Sequence, residues 1–424
     1  MTATPESAPE TAGQSPTPDD HSGPNARPTL GMAEFAAMLA LLFAVVAFSI
    51  DAMLPALPDI ARTLIPEAAN RAQLVLASFV LGMGLGTFIT GPLSDALGRR
   101  TVIAGGIVIY IAAAVAASMA HSLEMLLVAR FVQGFGSAGP RIAGLALVRD
   151  MYAGREMARV TSIVMIVFVM IPAFAPSIGQ LIIGFSGWRG VFWSFVVFGL
   201  IGLVWFLARQ PETLPKNRRR PLRLGLLVSG TREVFSNPNI RIYTAVLTLG
   251  FGQMYALLSS AQQIFADTFG RGESFPQWFM LMAILAGGAA GANAVLVVRL
   301  GMRRMVLGAY GLQALISTAM LGAFLLGLLA HPLAFYVFFA WAVSLFFMAG
   351  LTFGNLNALC LQHASHIAGL TASAVSAVAT VLAAFIAALV GQSFDGTPIP
   401  LAIGATICSG LAFLLMTRTL EGEG

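Results

Sequence analysis

The chain is short of charge. Only 10% of its 424 residues are Asp, Glu, Lys or Arg, while 57% are hydrophobic. A soluble domain carries about 25% charged residues. A large core does not account for the deficit, because even large soluble proteins cover their surface with polar groups. Lipid around most of the chain does. Lysine is almost missing: Lys216 is the only one, so the formal net charge of +5 rests on arginine. Cysteine is almost missing too. Cys360 and Cys408 are too few for a disulfide framework or a zinc ribbon. Both stand in apolar segments, where a free Cys packs as a small hydrophobe.

What is present is a series of long apolar runs with short polar breaks. Residues 1–31 precede them and are rich in Pro, Ser, Thr, Asp and Glu, a composition too polar to bury a core. They also lack the basic start, short apolar stretch and small-residue cleavage site of a signal peptide. A disordered cytoplasmic tail is expected there. The apolar runs fall at about 32–57, 72–93, 101–120, 125–148, 159–184, 190–208, 241–266, 276–298, 303–328, 333–360, 367–391 and 399–417. Each is near the ~20 residues that a helix needs to cross about 30 Å of hydrocarbon. Lipid offers no partners for unpaired backbone groups, and the runs do not alternate as barrel strands do, so helices are predicted throughout.

Arginine sets the orientation. With the tail inside, the cytoplasmic loops hold Arg99 and Arg100; Arg149, Arg155 and Arg159; Lys216, Arg218, Arg219, Arg220 and Arg223; and Arg299, Arg303 and Arg304. The other side holds only Arg62, Arg71, Arg189 and Arg271. Both termini are then cytoplasmic. The same placement explains the basic balance without nucleic acid. The longest polar stretch follows the sixth run, which predicts a bundle over 32–209, a cytoplasmic linker over 210–240, a second bundle over 241–418 and a short tail over 419–424. Gly98-Arg99-Arg100 after the second run is echoed by Gly301-Met302-Arg303-Arg304 after the eighth, the weak internal symmetry of a parallel-repeat transporter.

Three ionisable side chains fall inside predicted spans: Asp51 in the first, and Arg130 and Arg141 in the fourth. Charge at that depth costs several kcal/mol, so such residues are functional candidates. Asp51 and Arg130 come at similar depth, where an ion pair or a shared polar cavity is open to them. Arg130 and Arg141 are eleven residues apart, about three turns, and so share a face with Gln133, Gly134 and Ser137. Burial favours a neutral carboxyl and a nearby cation favours an ionised one. A substrate that tips this balance at Asp51 would exchange for a proton. The plainer alternative is a structural Asp51–Arg130 pair that fixes helix packing.

Other features are expected to be structural. Gly82, Gly84 and Gly86, and Gly287, Gly288 and Gly291, form small-residue stripes suited to close helix contact. Gly134-Phe135-Gly136-Ser137-Ala138-Gly139 matches a dinucleotide fingerprint by chance, since no strand precedes it. Pro172 and Pro176 are expected to kink the fifth span. His363 and His366 lack further ligands and are read as solvated loop residues, with no metal. Gln253, Tyr255, Gln262 and Gln263 in the seventh span, and Asn355 and Asn357 in the tenth, are candidates for the cavity wall, with interhelical hydrogen bonding as the alternative. No cofactor is implied, and no catalytic cluster points to an enzyme.

These residues resemble the major facilitator superfamily and, within it, the Bcr/CflA type of proton-coupled drug exporter, over nearly all of 32–418. Ser49-Ile50-Asp51-Ala52-Met53-Leu54-Pro55-Ala56-Leu57-Pro58 is similar to that type's first-helix signature. Gly91-Pro92-Leu93-Ser94-Asp95-Ala96-Leu97-Gly98-Arg99-Arg100 resembles the superfamily loop that forms part of the cytoplasmic gate. The resemblance gives gating roles to Gly91, Asp95, Gly98, Arg99 and Arg100. Arg130-Phe131-Val132-Gln133-Gly134 is similar to the motif whose arginine is tied to proton coupling. Arg149-Asp150 and Gly187-Trp188-Arg189 fit the family as well. Pro172, Pro176 and Gly179 lie in a stretch like the antiporter motif, with Ala175 before Pro176 and Gly179-Gln180 in place of paired glycines. Ala96 replaces a common basic residue, and Val298 stands where a second-half copy of Asp95 would fall.

The resemblance implies two pseudo-symmetric six-helix bundles in a bacterial inner membrane. It also implies a monomer that exports drug-like small molecules for protons by alternating access. Asp51 and Arg130 would couple protons, and Gln133, Arg141, Gln253, Tyr255, Gln262 and Asn355 would line the substrate cavity. Export of a metabolite such as an amino acid or sugar is the alternative, and a non-transporting sensor a more distant one. Nothing resembles the phosphate loop of an ATP-driven pump.

Overall fold

The computed structural model describes residues 30–219, 221, 222, 224–327 and 333–419. The expected tail at 1–31 therefore falls almost wholly outside the described residues, as do Arg220, Arg223 and everything beyond Thr419. All regular structure among the described residues is helical. In chain order the helices are α1 (Met32–Asp51), α2 (Leu57–Leu64), α3 (Leu74–Leu97), α4 (Arg99–Ser118), α5 (Leu123–Met151), α6 (Gly154–Arg209), α7 (Leu224–Val234), α8 (Pro238–Gln263), α9 (Phe275–Leu300), α10 (Met302–Leu325), α11 (Leu333–Gln362), α12 (Ala368–Gln392) and α13 (Ile399–Thr417).

Local chemistry places several ends. Ser122 caps α5 by accepting a hydrogen bond from the Met125 amide at 3.2 Å. Asn237 caps α8 through the amides of Asn239 and Ile240, with Pro238 in the first turn. Gly98 and Gly301 each end one helix and open the next, at φ 101° and 78°, a conformation that costs glycine little. The Gly98 and Gly301 sequence echo is thus a repeated backbone turn.

Among the described residues, ten helical segments are long and apolar enough to cross a membrane. Two more crossings complete the set. A straight 56-residue helix would run about 84 Å, far beyond the ~30 Å of hydrocarbon. Gly187 breaks α6 at φ 67° and turns it into two crossings; Pro172 and Pro176 lie inside it, and Gly187 is its one non-helical position. The twelfth is α5, whose apolar character is diluted by Glu124, Arg130, Arg141, Arg149 and Asp150. Large apolar side chains such as Leu181, Val204, Leu315 and Leu389 face outward, a surface suited to lipid and not to water.

The helices form two bundles. In the first, α5 packs on α3 and α4, and α6 on α1 and α4; in the second, α8 packs on α11, α12 and α13, α9 on α11, and α10 on α11 and α13. The bundles meet along α3 with α12 and along α6 with α9. Between them, residues 210–237 carry α7, which lies against α12.

Glycine sets the closest approaches. A Cβ at Gly82 would fall 1.9 Å from the Phe131 carbonyl oxygen, and one at Gly134 would fall 2.0 Å from that of Phe79. The α3 and α5 backbones therefore touch. Gly136 and Gly139 serve α5 in the same way against α4, which explains the fingerprint-like spacing as packing. The second stripe does not behave as expected. Nothing lies within 4 Å of a Cβ at Gly287 or Gly291, and at Gly288 only Phe347 comes as near as 4.0 Å. The α9 contact runs through Ala289 against Gly350. Residues two positions away are about 200° round the helix, so Gly287 and Gly291 face elsewhere.

Gly134→Val forces a side chain into a backbone carbonyl, and overpacking typically costs about 1–3 kcal/mol or more. It is expected to cut the yield of monodisperse protein severalfold and lower its melting temperature in detergent. Gly287→Val, with open space around it, is expected to leave both within error by the same fluorescence-detected chromatography.

Candidate functional site

Arg130 is fully buried on α5 and bonded to neutral acceptors. It donates from Nη2 to the Ser49 carbonyl of α1 at 3.0 Å, from Nη1 to Gln133 Oε1 at 2.8 Å and from Nε to the Val75 carbonyl of α3 at 3.4 Å. Its guanidinium stacks 4.3 Å from the Phe79 ring centre and 6.0 Å from that of Phe192, contacts that suit a desolvated cation. Ser49 donates its hydroxyl to the Val45 carbonyl at 2.7 Å, which leaves Tyr110 of α4 as donor to Ser49. One side chain thus ties α1, α3 and α5 together.

Asp51 is not in that network. It is 4% exposed and, among the described residues, makes no hydrogen bond or ion pair. The expected Asp51–Arg130 ion pair is therefore absent. The physical reason is that carbonyls and an amide already satisfy the guanidinium. Gly179 of the antiporter-like stretch meets the chain beside Asp51: a Cβ there would lie 2.2 Å from the Ala52 carbonyl. The first leg of α6 is seated against the residue that follows the acid.

Arg141, half-buried on α5, reaches only the Met83 sulfur among the described residues, at 3.8 Å. Tyr255 of α8, from the other bundle, is buried, its ring 6.0 Å from that of Phe251. Other candidates are more engaged. Gln253 accepts from Ser409 at 2.9 Å, Asn355 donates to Asn293 of α9 at 2.7 Å, and Asn357 donates to the Phe353 carbonyl at 2.9 Å. Gln262 lines a second cavity near the end of α8, away from Arg130. His363 is half-buried, between Asn239 and the Leu359 carbonyl, and so is not a plain solvated loop residue; His366 is exposed beside Glu233 at 2.8 Å.

The two ends of the seam differ. At the basic end, Arg99 donates to Asp95 at 2.5 Å, Ser94 at 3.0 Å and Asp150 at 3.0 Å. Glu212 accepts from the amides of Arg99 and Arg100 at 2.9 and 3.1 Å, an acid at a helix N-terminus. Gly98 makes room for it, since a Cβ would lie 2.3 Å from the Glu212 carboxylate. All of these belong to the first bundle or the start of the linker. Beside them opens a cavity of about 630 Å³, whose walls include Asp95, Ile142 and Ala146 on one side and Gly230 and Leu370 on the other.

The opposite end is closed by side-chain amides. Asn70 donates to the Phe394 carbonyl at 2.6 Å, and its carbonyl accepts from Gln392 at 2.8 Å. Gln263 donates to Asn70 Oδ1 at 2.8 Å, Gln73 donates to Gln263 Oε1 at 2.7 Å, and Ser260 donates to Gln73 Oε1 at 3.0 Å. Gln180 reaches the Glu273 carbonyl at 3.3 Å. All six bonds join the two bundles. Gly391 admits Gln73, whose Oε1 would lie 2.2 Å from a Cβ there.

Asn70, Gln73, Ser260 and Gln392 were not among the sequence candidates, and neither was Glu212. Glu212 leaves one signal: α4 opens on Gly-Arg-Arg with no Ser, Thr, Asp or Asn to cap it, so an acceptor must come from elsewhere. The amides of the seal leave none, because single polar residues near helix ends look like ordinary loop.

Two helical bundles around a polar seam, closed at one end and open at the other, define a membrane carrier. A sequence model of the Major Facilitator Superfamily matches residues 39–391. A bicyclomycin resistance protein homolog of Haemophilus influenzae is 27% identical over 92% of this chain and 98% of its own. Multidrug resistance protein D of Escherichia coli is 30% identical over 52% of this chain and 54% of its own. The E. coli xylose transporter XylE, in a partially occluded inward open conformation, superposes with a TM-score of 0.70 over 93% of this chain and 99% of its own, at 14% identity. The chain belongs to the major facilitator superfamily, as a multi-pass membrane transporter of small molecules and not an enzyme, and its sequence relatives include the Bcr/CflA type.

Interhelical hydrogen bonds in membranes average about 0.6 kcal/mol each. Gln263→Leu removes two of the seal's bonds and is expected to loosen it. With Cys360 and Cys408 replaced by Ala, a cysteine introduced by Ser259→Cys, buried beside the seal, should react with maleimide severalfold faster in the Gln263→Leu background. An unchanged rate would mean that the amides do not hold this end shut.

Proposed function

We propose that the chain is a proton-coupled exporter of drug-like small molecules in a bacterial inner membrane, a monomer working by alternating access. The observation that carries this is the unpaired acid at the seam, Asp51. Among the described residues no counter-ion or donor pins its charge, so its protonation answers to what arrives beside it. Arg130 is the positioning residue: by holding the Ser49 carbonyl it fixes the turn of α1 that presents Asp51.

The excess of basic residues assigns the open end to the cytoplasm, with both termini on that side. Substrate enters through the cavity between Asp95 and Leu370. Arrival at Asp51 favours loss of its proton. Breaking the amide seal then opens the opposite end, while Asp95 and Arg99, now bound within their own bundle, face the α12 side of the closing gate. A proton from outside returns Asp51 to its neutral form and resets the cycle. The resistance names of the relatives support drug-like cargo.

In inverted vesicles, a panel of drugs is expected to drive proton movement with wild type and not with Asp51→Asn. Arg130→Lys, which keeps the charge but loses the fork of donors, should lower the response about tenfold or more. An equal response from wild type and Asp51→Asn would make Asp51 structural.

A further inference from the structure

The amide-sealed end of the seam carries a cavity of about 540 Å³, and Gln73 and Gln263 of the seal line it. Small-molecule sites occupy about 300–1,000 Å³. The two walls differ in chemistry. The first bundle supplies Leu57, Pro58 and Ala61 of α2, an apolar surface; the second supplies Gln262, Asp267 and Glu273. Gln262 is 6% exposed, and its amide oxygen is enclosed with no hydrogen-bond partner among the described residues. A buried carbonyl without a donor is costly to leave so. Asp267 and Glu273 are exposed and make no ion pair among the described residues. The acids and the amide are close neighbours. Ala266 comes one turn after Gln262, and a Cβ at Gly272 would lie 3.0 Å from Ala266 Cβ and 3.8 Å from Gln262 Nε2. Asp267 follows Ala266 and Glu273 follows Gly272, so the chain beyond α8 folds both acids onto the wall that holds the amide.

We infer that this cavity binds a small primary amine with an apolar body, as its ammonium ion, and that the bound amine clamps the two bundles at the closed end. Other ligand classes fit less well. An anion is repelled by Asp267 and Glu273, and the cations nearby are engaged: Arg62 with Asp59, and Arg271 over the rings of Phe335 and Trp278. A metal ion lacks ligands, since no group of three or more His, Cys, Asp or Glu among the described residues could hold one. A neutral apolar molecule leaves the Gln262 oxygen without a donor, and a quaternary ammonium brings charge but no N–H. A primary ammonium brings both, and hydrogen bonds from a charged donor are the stronger kind. Its hydrocarbon part then covers the Leu57 wall. The walls belong to different bundles, so the amine makes both sets of contacts only while this end is shut. Occupancy therefore favours the closed arrangement over the open one. None of this depends on Asp51 or on proton coupling.

The test is equilibrium binding of radiolabelled phenethylamine and hexylamine to the full-length protein in detergent. It is run in Asp51→Asn, so that the acid within the seam does not contribute, and in wild type alongside. Saturable binding is expected in both. The matching alcohols, 2-phenylethanol and hexanol, should compete about tenfold more weakly than the amines, a difference that one charge-assisted contact can supply. Benzyltrimethylammonium should compete severalfold more weakly than phenethylamine. Asp267→Asn combined with Glu273→Gln should weaken binding about tenfold, and Gln262→Leu severalfold. Both acids are exposed, so the double variant is expected to elute as its parent does. Asn70→Ala removes two bonds of the seal at a side chain outside the cavity lining. It should weaken binding severalfold, because less of the protein is then in the closed form. The inference fails if neither amine binds, if the alcohols compete equally, or if neutralising the two acids changes nothing. Loss of binding in Asp51→Asn alone would place the amine within the seam and also overturn it. Undiminished binding in Asn70→Ala would mean that one bundle holds the amine by itself, and the clamp would be wrong.

Discussion

A buried arginine satisfied by neutral acceptors is the constraint on which the rest of the site depends. Taking a guanidinium out of water is tolerable only if its donors are met. Arg130 meets that demand with two backbone carbonyls, a glutamine and an aromatic face. The carbonyls belong to α1 and α3, so the same bonds fix three helices against each other. Because no carboxylate is used, Asp51 is left without a partner two residues from the Ser49 carbonyl that Arg130 holds. A conventional ion pair would have stabilised the bundle at the expense of a free acid.

The second constraint is backbone proximity. The contacts of α3 with α5, of α6 with the Ala52 carbonyl and of α12 with Gln73 all depend on a missing Cβ. Without these approaches the side chains that close one end could not span the seam. The closed end is held by neutral amides and a hydroxyl, each individually weak in a membrane. Weakness suits a contact that must break in every cycle. The basic end is arranged differently, with Arg99, Asp95, Asp150 and Glu212 bound inside the first bundle. Its charges are stored locally, leaving the cavity mouth open toward the second bundle.

Much of this could be read from the sequence, and what could not has physical reasons. The twelve crossings follow from apolar run length, and the turns at Gly98 and Gly301 from a repeated Gly-x-Arg pattern. Asp51, Arg130 and Arg141 stand out because charge is rare inside apolar runs. Their pairing does not, since similar depth does not say which acceptor is nearer, and backbone carbonyls carry no sequence signature. The glycines of α9 looked like those of α3 because a stripe of small residues shows only that close contact is sterically allowed. Which face is used depends on the neighbour, here Gly350 against Ala289. Asn355 illustrates the same limit: an amide in a spanning helix signals an inward side chain, and its partner proves to be another asparagine, Asn293. The amide seal was hidden for the opposite reason, because Asn70 and Gln73 sit where polar residues are ordinary.

Infrared difference spectroscopy of the reconstituted protein across pH tests most directly whether Asp51 is an unpaired, exchangeable acid. A carboxyl without hydrogen-bond donors absorbs at the high end of the protonated carbonyl range. Wild type should show such a band at low pH that disappears reversibly as pH rises, and Asp51→Asn should lack it. The same band in wild type and Asp51→Asn, or none in wild type at any pH, would contradict the central role given to Asp51.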